Sequence, residues 1–222
     1  MGQFELAEHF VSINGEGRRA GELAVFLRFA GCNLNCRYCD TKWANEKNVQ
    51  SQIIDETALY QFVKETGISN VTITGGEPLL QRDMKSLLYI LAENDSLFVE
   101  IETNGSMDLS EYIAISENIT FTVDYKLPSS GMESFMCMQN YSILRDIDTV
   151  KFVVGSLMDL ERGKEIIETY LKNQQCAIYI SPVHGEMNPV EMIEFMKLNC
   201  MNHVKIQLQL QKYIWNPNQK GV

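Results

Sequence analysis

Three cysteines crowd into one short stretch, Cys32-Asn-Leu-Asn-Cys36-Arg-Tyr-Cys39. Three thiolates on a single loop can each bind an iron of a cubic [4Fe–4S] cluster. Clusters of this kind ordinarily take four cysteine ligands, so three leave one iron open to an outside ligand. A structural zinc ion is the other metal such a loop can hold. Zinc needs a fourth Cys or His, which His184 or a distant cysteine would supply. The other three cysteines are scattered. Cys176 and Cys200 lie at apolar or element-boundary positions and read as small buried hydrophobes. Cys137, within Met-Cys-Met, suits core packing or a mobile lid.

The composition agrees with metal chemistry. With 29 acidic and 19 basic residues in 222, the formal charge is −10, which argues against a nucleic-acid binder because phosphate recognition needs a basic face. A local basic pocket for a small anion is still allowed. Hydrophobic residues at 45% exclude intrinsic disorder. No run of ~18 apolar residues is present, so no membrane span is expected. The N-terminus has no basic region followed by an apolar stretch, so no secretory signal is expected either. A cytoplasmic protein is expected, and clustered cysteines there mean metal or redox chemistry more often than disulfides.

Loops that carry such chemistry must be held by a scaffold. Short β-branched or aromatic runs predict strands at Ala24–Phe29, Val71–Thr74, Leu97–Ile101, Thr120–Asp124, Val150–Val154, Ala177–Ile180 and Val204–Leu208. Between them Asp55 can cap a helix bearing Leu59, Phe62 and Val63, with Gly67 at its end. From Gln81 to Glu93, Met84, Leu87, Leu88 and Leu91 form an amphipathic stripe. Asn188-Pro189-Val190-Glu191 reads as an N-cap, a first-turn proline and a capping glutamate, followed by a helix that buries Met192, Ile193 and Met196. Alternation of strand and helix makes an α/β protein with a mainly parallel sheet. About six or seven strands fall short of a closed eight-stranded barrel, so an open, partial (β/α) barrel is expected. In such folds chemistry gathers at the C-terminal strand ends. Gly31-Cys32, Gly75-Gly76-Glu77-Pro78, Glu102-Thr-Asn-Gly105, Asp124-Tyr-Lys126 and Ser181-Pro182 all fall there.

The cysteine spacing, with Tyr38 before the third cysteine, resembles the signature of the radical S-adenosylmethionine (SAM) superfamily. Gly75-Gly76-Glu77 matches that superfamily's GGE motif. The resemblance implies that SAM binds the open iron and is cleaved reductively to a 5′-deoxyadenosyl radical. Further segments narrow it: Ser12-Ile-Asn-Gly-Glu-Gly17, Phe26-Leu-Arg-Phe-Ala-Gly-Cys-Asn33, Cys39-Asp-Thr41, Thr74-Gly-Gly-Glu-Pro78, Glu102-Thr-Asn-Gly105, Asp124-Tyr-Lys-Leu-Pro-Ser-Ser-Gly131, Ser181-Pro-Val183 and Gln209-Leu-Gln-Lys-Tyr-Ile-Trp215. In this order they resemble the 7-carboxy-7-deazaguanine synthase family of queuosine-precursor biosynthesis, over essentially the whole chain.

The resemblance implies a lyase with a modified partial barrel of the radical SAM type, residues 1–222 being a single domain. It implies contraction of 6-carboxy-5,6,7,8-tetrahydropterin to 7-carboxy-7-deazaguanine with loss of ammonia. The implied cofactors are a [4Fe–4S] cluster, SAM and Mg2+, and the implied partners are an external flavodoxin- or ferredoxin-type electron donor and a second copy in a homodimer. By the same route Cys32, Cys36 and Cys39 hold the cluster. Tyr38, Cys39, Asp40 and Gly76 contact SAM, with Asp124, Tyr125, Lys126 and Ser129 contributing. Thr41 ligates Mg2+, an oxygen donor for a hard cation. Arg28 offers a planar fork to the substrate carboxylate. Ile13, Asn14, Gly15 and Glu16 hold the pterin edge, with Thr74 and Gln211 as further substrate contacts.

The same residues have plainer readings. Arg28 can be a rim salt bridge, Glu16 an exposed turn residue, and Thr41 a helix cap. Glu102 and Asn104 can be turn formers. His9 and His203 read as surface or packing residues, and His184 has little claim on the site. Two positions depart from the family: Asn14 where Gln is frequent, and Gln211 where His is usual, and glutamine does not titrate. A glycyl-radical activase shares the cysteine loop but does not need the Gly-Glu-Gly segment, Thr41 or Arg28. A zinc-bound structural module would need neither SAM nor iron.

Overall fold

The computed structural model describes residues 2–46, 48–217 and 219–222. Among them nine strands form one sheet: β1 (Phe4–Ile13), β2 (Leu23–Phe29), β3 (Gln52–Ile54), β4 (Asn70–Gly75), β5 (Phe98–Thr103), β6 (Ile119–Tyr125), β7 (Thr149–Val154), β8 (Ala177–Pro182) and β9 (Val204–Ile206). Their order is β3-β1-β2-β4-β5-β6-β7-β8-β9. From β2 to β9 every pairing is parallel, and β1 runs antiparallel to both β2 and β3.

All seven expected strands are present, and β1 and β3 are additional. Charged Glu5 and Glu8 and a register shift between Leu6 and Glu8 break the clean alternation of β1. The three residues of β3 form a short edge, where little burial marks the sequence.

The helices are α1 (Glu56–Thr66), α2 (Met84–Ala92), α3 (Asn140–Ile143), α4 (Leu157–Ile166), α5 (Pro189–Leu198) and α6 (Gln211–Ile214). Asp55 caps α1 by accepting from the Ala58 amide, and Gly67 closes it in the left-handed region. The stripe of α2 is buried as expected. Asn188 caps α5, but of the three apolar residues expected inside only Met192 is fully buried. Ile193 is 42% exposed, because Phe195 and Met196 take the facing positions instead. Cys200 also departs from expectation. It is exposed, with φ 48, because the chain reverses there just past the end of α5. Cys176 is buried in the core.

Strand alternation gives the sheet two unlike faces. Val71, Ile73, Val99, Ile101, Phe121, Val123, Val150, Phe152, Ile178 and Ile180 join Leu59, Leu87, Leu91 and Leu160 of the helices in one apolar core. The opposite, concave face is polar. Register aligns Arg28 with Thr74, Glu102 with Thr122, and Asp124 with Lys151. The sheet curls but does not close by strand pairing. Instead the β1–β2 loop reaches the chain beyond β9, where Gly17 and Gln207 exchange two hydrogen bonds of 2.9 Å.

Candidate active site

The curl encloses one cavity of about 670 Å³ at the C-terminal strand ends. Cys32, Cys36 and Cys39 line one side of it. Their loop leaves β2 and is held by backbone bonds from Gly31 to Ala44 and from Arg37 to Ser130. The Cys32 sulfur accepts from the Leu34 amide at 3.4 Å and from Asn104 Nδ2 at 3.6 Å. Burial pushes the Cys32 and Cys36 thiols up. A bound metal reverses that by deprotonating them. Among the described residues no three His, Cys, Asp or Glu side chains converge on a single-ion site.

Close backbone approach explains the two glycines that face this loop. Gly75 has φ 147, and a Cβ there would lie 2.2 Å from the Phe29 carbonyl oxygen. A Cβ on Gly76 would lie 2.1 Å from the Gly31 carbonyl oxygen. The next residue, Glu77, is fully buried and accepts from the Leu79 amide, the Thr103 hydroxyl and the Asn104 amide. Burial nevertheless pushes its carboxyl up to about 7. Glu77 thus ties the end of β4 to the turn after β5 and aims Asn104 at Cys32.

The floor of the cavity is a network of charges. Lys151 Nζ lies 3.3 Å from Glu16 Oε2 and 3.6 Å from Asp124 Oδ2. Lys126 also reaches Asp124 Oδ2, at 2.8 Å. Glu16 accepts in addition from Ser181 Oγ at 3.3 Å and Gln209 Nε2 at 2.9 Å. Burial opposes the charge on Lys151, but Glu16, Asp124 and Glu102 outweigh it and hold the ammonium well above its ordinary range. Arg28 donates from Nε to Glu8 Oε1 at 2.8 Å while lining the cavity.

The cavity roof comes from the C-terminal residues. Leu210 donates to the Gly15 carbonyl, and Lys212 pairs with Asp40 at 2.9 Å. Burial pushes the Asp40 carboxyl up, but Lys212, with Arg28 and Lys151 beyond it, holds it below the usual carboxylate range. Further on, Lys220 Nζ sits 4.0 Å over the Trp43 ring, and Val222 also lines the cavity. A partner polypeptide, as an activase requires, would have to displace this tail.

The expected site residues therefore mostly converge. Ile13, Gly15, Glu16, Arg28, Cys32, Cys36, Tyr38, Cys39, Asp40, Thr41, Thr74, Gly76, Asp124, Lys126 and Gln211 line the cavity. Glu16 is buried, not an exposed turn residue. Thr41 precedes a short 3-10 turn, Lys42–Asn45, without a capping side-chain bond, and its hydroxyl lies 3.6 Å from the Cys39 sulfur. Three expected residues are placed elsewhere. Alternation along β6 turns Tyr125 to the helix side, where it packs against Tyr141 and Phe152 and bonds Glu133. Ser129 donates its amide to Asp159, behind the cysteine loop. Asn14 accepts from Thr72 Oγ1 at 2.7 Å and supports the β1–β2 loop from beneath.

Sequence reading missed Lys151, named Ser181 and Gln209 only within motifs and without a role, left Glu102 ambiguous and gave His184 little weight. One signal was available for Lys151. It is the lone charge in the apolar strand Thr149–Val154, and a buried charge requires a partner.

Several buried polar atoms here have no protein partner among the described residues. Asp124 Oδ1, Gln211 Oε1, Asn14 Nδ2 and Asn45 Oδ1 are such atoms. Buried donors and acceptors are ordinarily satisfied, and Asp124, Gln211 and Asn45 line the cavity, so these atoms suit a polar ligand there.

Residues 27–125 match the radical SAM superfamily. A 7-carboxy-7-deazaguanine synthase from Clostridium acetobutylicum is 51% identical over 219 residues, covering 99% of each chain. One from Chlorobaculum tepidum is 36% identical, over 98% of this chain and 96% of its own. In three dimensions the crystal structure of QueE from Escherichia coli is similar, with a TM-score of 0.74, 24% identity, and coverage of 93% of this chain and 94% of that one.

Proposed function

The chain belongs to the 7-carboxy-7-deazaguanine synthase family, lyases of the radical SAM superfamily, and from its cavity we propose how its own residues share the work. The substrate is 6-carboxy-5,6,7,8-tetrahydropterin, whose ring is contracted with loss of ammonia. The observation that carries the assignment is that three cysteines, a guanidinium and a buried carboxylate line one cavity.

The donor set fits the implied cofactors. Cys32, Cys36 and Cys39 hold the [4Fe–4S] cluster, and the cluster and SAM together supply the radical that takes a hydrogen atom from substrate. Asp40, the bare backbone at Gly76, and Asp124 hold SAM. The unpartnered Asp124 Oδ1 is an acceptor ready for a ligand N–H or O–H. Tyr38 is anchored by its hydroxyl to the Val153 carbonyl at 3.2 Å, which fixes the ring beside the third cysteine.

Arg28 binds the substrate carboxylate with the part of its fork that Glu8 does not occupy. Glu16 accepts N–H groups from the pterin edge, oriented by Ser181, Gln209 and Lys151. Gln211 offers its unpartnered Oε1 as a further acceptor. Being an amide, it positions substrate and moves no proton. Thr41, which lines the cavity, would supply a protein oxygen to Mg2+, a donor suited to a hard cation. The tail excludes water once both ligands are in place.

Other features support the remaining assignments. The single sheet spanning Phe4 to Ile206 supports one domain over residues 1–222. Exposed Leu157, Met158, Val190, Ile193 and Leu198 on α4 and α5 support a homodimer. Exposed Asn33, Asn35 and Arg37 give an external flavodoxin- or ferredoxin-type donor an approach to the cluster loop. All six cysteines are free thiols, which suits a reducing cytoplasm. Among the described residues no helix is long and apolar enough to cross a membrane.

Anaerobic reconstitution with iron and sulfide, then incubation with the carboxytetrahydropterin, SAM, reductant and Mg2+, tests this function. Formation of 7-carboxy-7-deazaguanine is the expected result. SAM cleavage without that product would overturn the substrate, and stoichiometric zinc without iron would overturn the radical chemistry.

A further inference from the structure

Lys151 is the one charged residue of β7, in the parallel middle of the sheet. Its side chain is only 10% exposed. The ammonium touches two carboxylates that are far apart in the chain. Glu16 lies on the loop between β1 and β2, and Asp124 lies on the neighbouring strand β6. Among the described residues no other side chain contacts both. Ser181 and Gln209 reach Glu16 alone, and Lys126 reaches Asp124 alone.

The arrangement has a physical consequence. Two carboxylates sharing a buried pocket repel unless a cation lies between them. An ammonium has three donors in a compact head, so it can hold both at once. Lys151 therefore sets the separation between Glu16 and Asp124. Glu102, which shares this face of the sheet and acts on the same ammonium, faces it as well.

We propose that Lys151 is a positioning residue joining the two halves of the cavity, so that pterin binding at Glu16 and SAM binding at Asp124 depend on the same ammonium. This rests on the assignment of Glu16 to the pterin and Asp124 to SAM made above. Neither ligand needs to touch Lys151. A shift of its head would tilt both carboxylates together and misalign the radical source with the hydrogen it must take. Small misplacements of this kind are costly to a reaction that depends on a near-attack geometry.

The test is a set of binding titrations on reconstituted protein held oxidised, so that SAM is bound but not cleaved. Lys151→Met keeps the stem and removes the charge. Lys151→Arg keeps a charge in a different shape. Glu16→Gln and Asp124→Asn complete two double-mutant cycles. Lys151→Met is expected to weaken both the pterin and SAM by about tenfold, a size in keeping with loss of a charged hydrogen bond. Glu16→Gln is expected to weaken the pterin only, and Asp124→Asn SAM only. In the Lys151→Met background each of these second substitutions should cost less than about threefold, because coupled residues are not additive. Under turnover Lys151→Arg should raise the ratio of SAM cleaved to product formed. A merely structural lysine would lower melting temperature and cluster content and leave the cycles additive. Additive cycles, or a Lys151→Met protein that binds both ligands within twofold of wild type, would overturn the proposal. Should Lys151→Met not fold, additive behaviour of Lys151→Arg in the same cycles would overturn it equally. If the wild-type protein binds no carboxytetrahydropterin, the substrate assignment falls and this inference falls with it. If wild type binds and turns over while the cycles are additive, only the role of Lys151 falls.

Discussion

Replacing Glu100 by glutamine should blunt the loss of stability that the wild-type fold suffers as pH rises. Glu100 lies on β5, 7% exposed, and its carboxylate accepts from the Thr122 hydroxyl. Burial, reinforced by Glu102, pushes its carboxyl from 4.5 up to about 7. The folded chain then binds a proton that the unfolded chain has released. Stability due to this group is therefore full below the unfolded value and is lost as pH rises toward and through 7. Between pH ~6 and pH ~8 one such group removes about 1.3 kcal/mol. Glu77, also near 7 and also buried, removes a similar amount, so the two together remove about 2.6 kcal/mol. Glu100→Gln keeps the Oε1 acceptor for Thr122 and abolishes the titration. Its absolute stability depends on whether the new amide N–H finds a partner. The slope with pH does not. Anaerobic urea titrations at several pH values should give a loss between pH ~6 and pH ~8 smaller than that of wild type by about 1.3 kcal/mol. A variant that loses as much stability as wild type over the same interval would refute the reasoning.

Three further outcomes follow from particular contacts. Gly76→Ala should prevent cluster assembly, because its Cβ would meet the Gly31 carbonyl at 2.1 Å; iron content and visible absorption near wild type would contradict this. Arg28→Ala should raise the KM for the carboxytetrahydropterin roughly 10- to 100-fold, the size of a lost charged hydrogen bond, with cluster and uncoupled SAM cleavage retained; steady-state kinetics and deoxyadenosine release check it. Asp55→Ala removes the cap of α1 and should cost about 1 kcal/mol without changing KM, as measured by chemical denaturation and kinetics.

Local patterns in the chain were enough for much of the scaffold. The buried parallel strands carry β-branched runs, and α1 and α2 carry caps or stripes, because each of those signals lies within a dozen residues. The cysteine loop was legible for the same reason: Cys32, Cys36 and Cys39 sit on one short loop. So were the cavity-facing residues of the Gly75–Glu77 turn, since a glycine pair before a capped turn is itself a local feature. Tyr125 lies between Asp124 and Lys126, so alternation along β6 sends its side chain to the helix side, away from theirs. Ile193 was misplaced because helix periodicity does not say which of two adjacent stripes meets the sheet.

What no local pattern contained was the meeting of distant segments. Glu16, Asp124, Lys151, Ser181 and Gln209 come from five places in the chain, and only the curl of the sheet brings them to one floor. The same curl lays the tail over the cavity, where Lys212 reaches Asp40. The physical reason is that burial of these charges is tolerable only in one another's company. A residue's own sequence neighbours can show that a partner is required, as they do around Lys151, but not which residue arrives from across the sheet. The chemistry available to the chain was thus written in its cysteines; the geometry in which that chemistry can act is a property of the folded sheet.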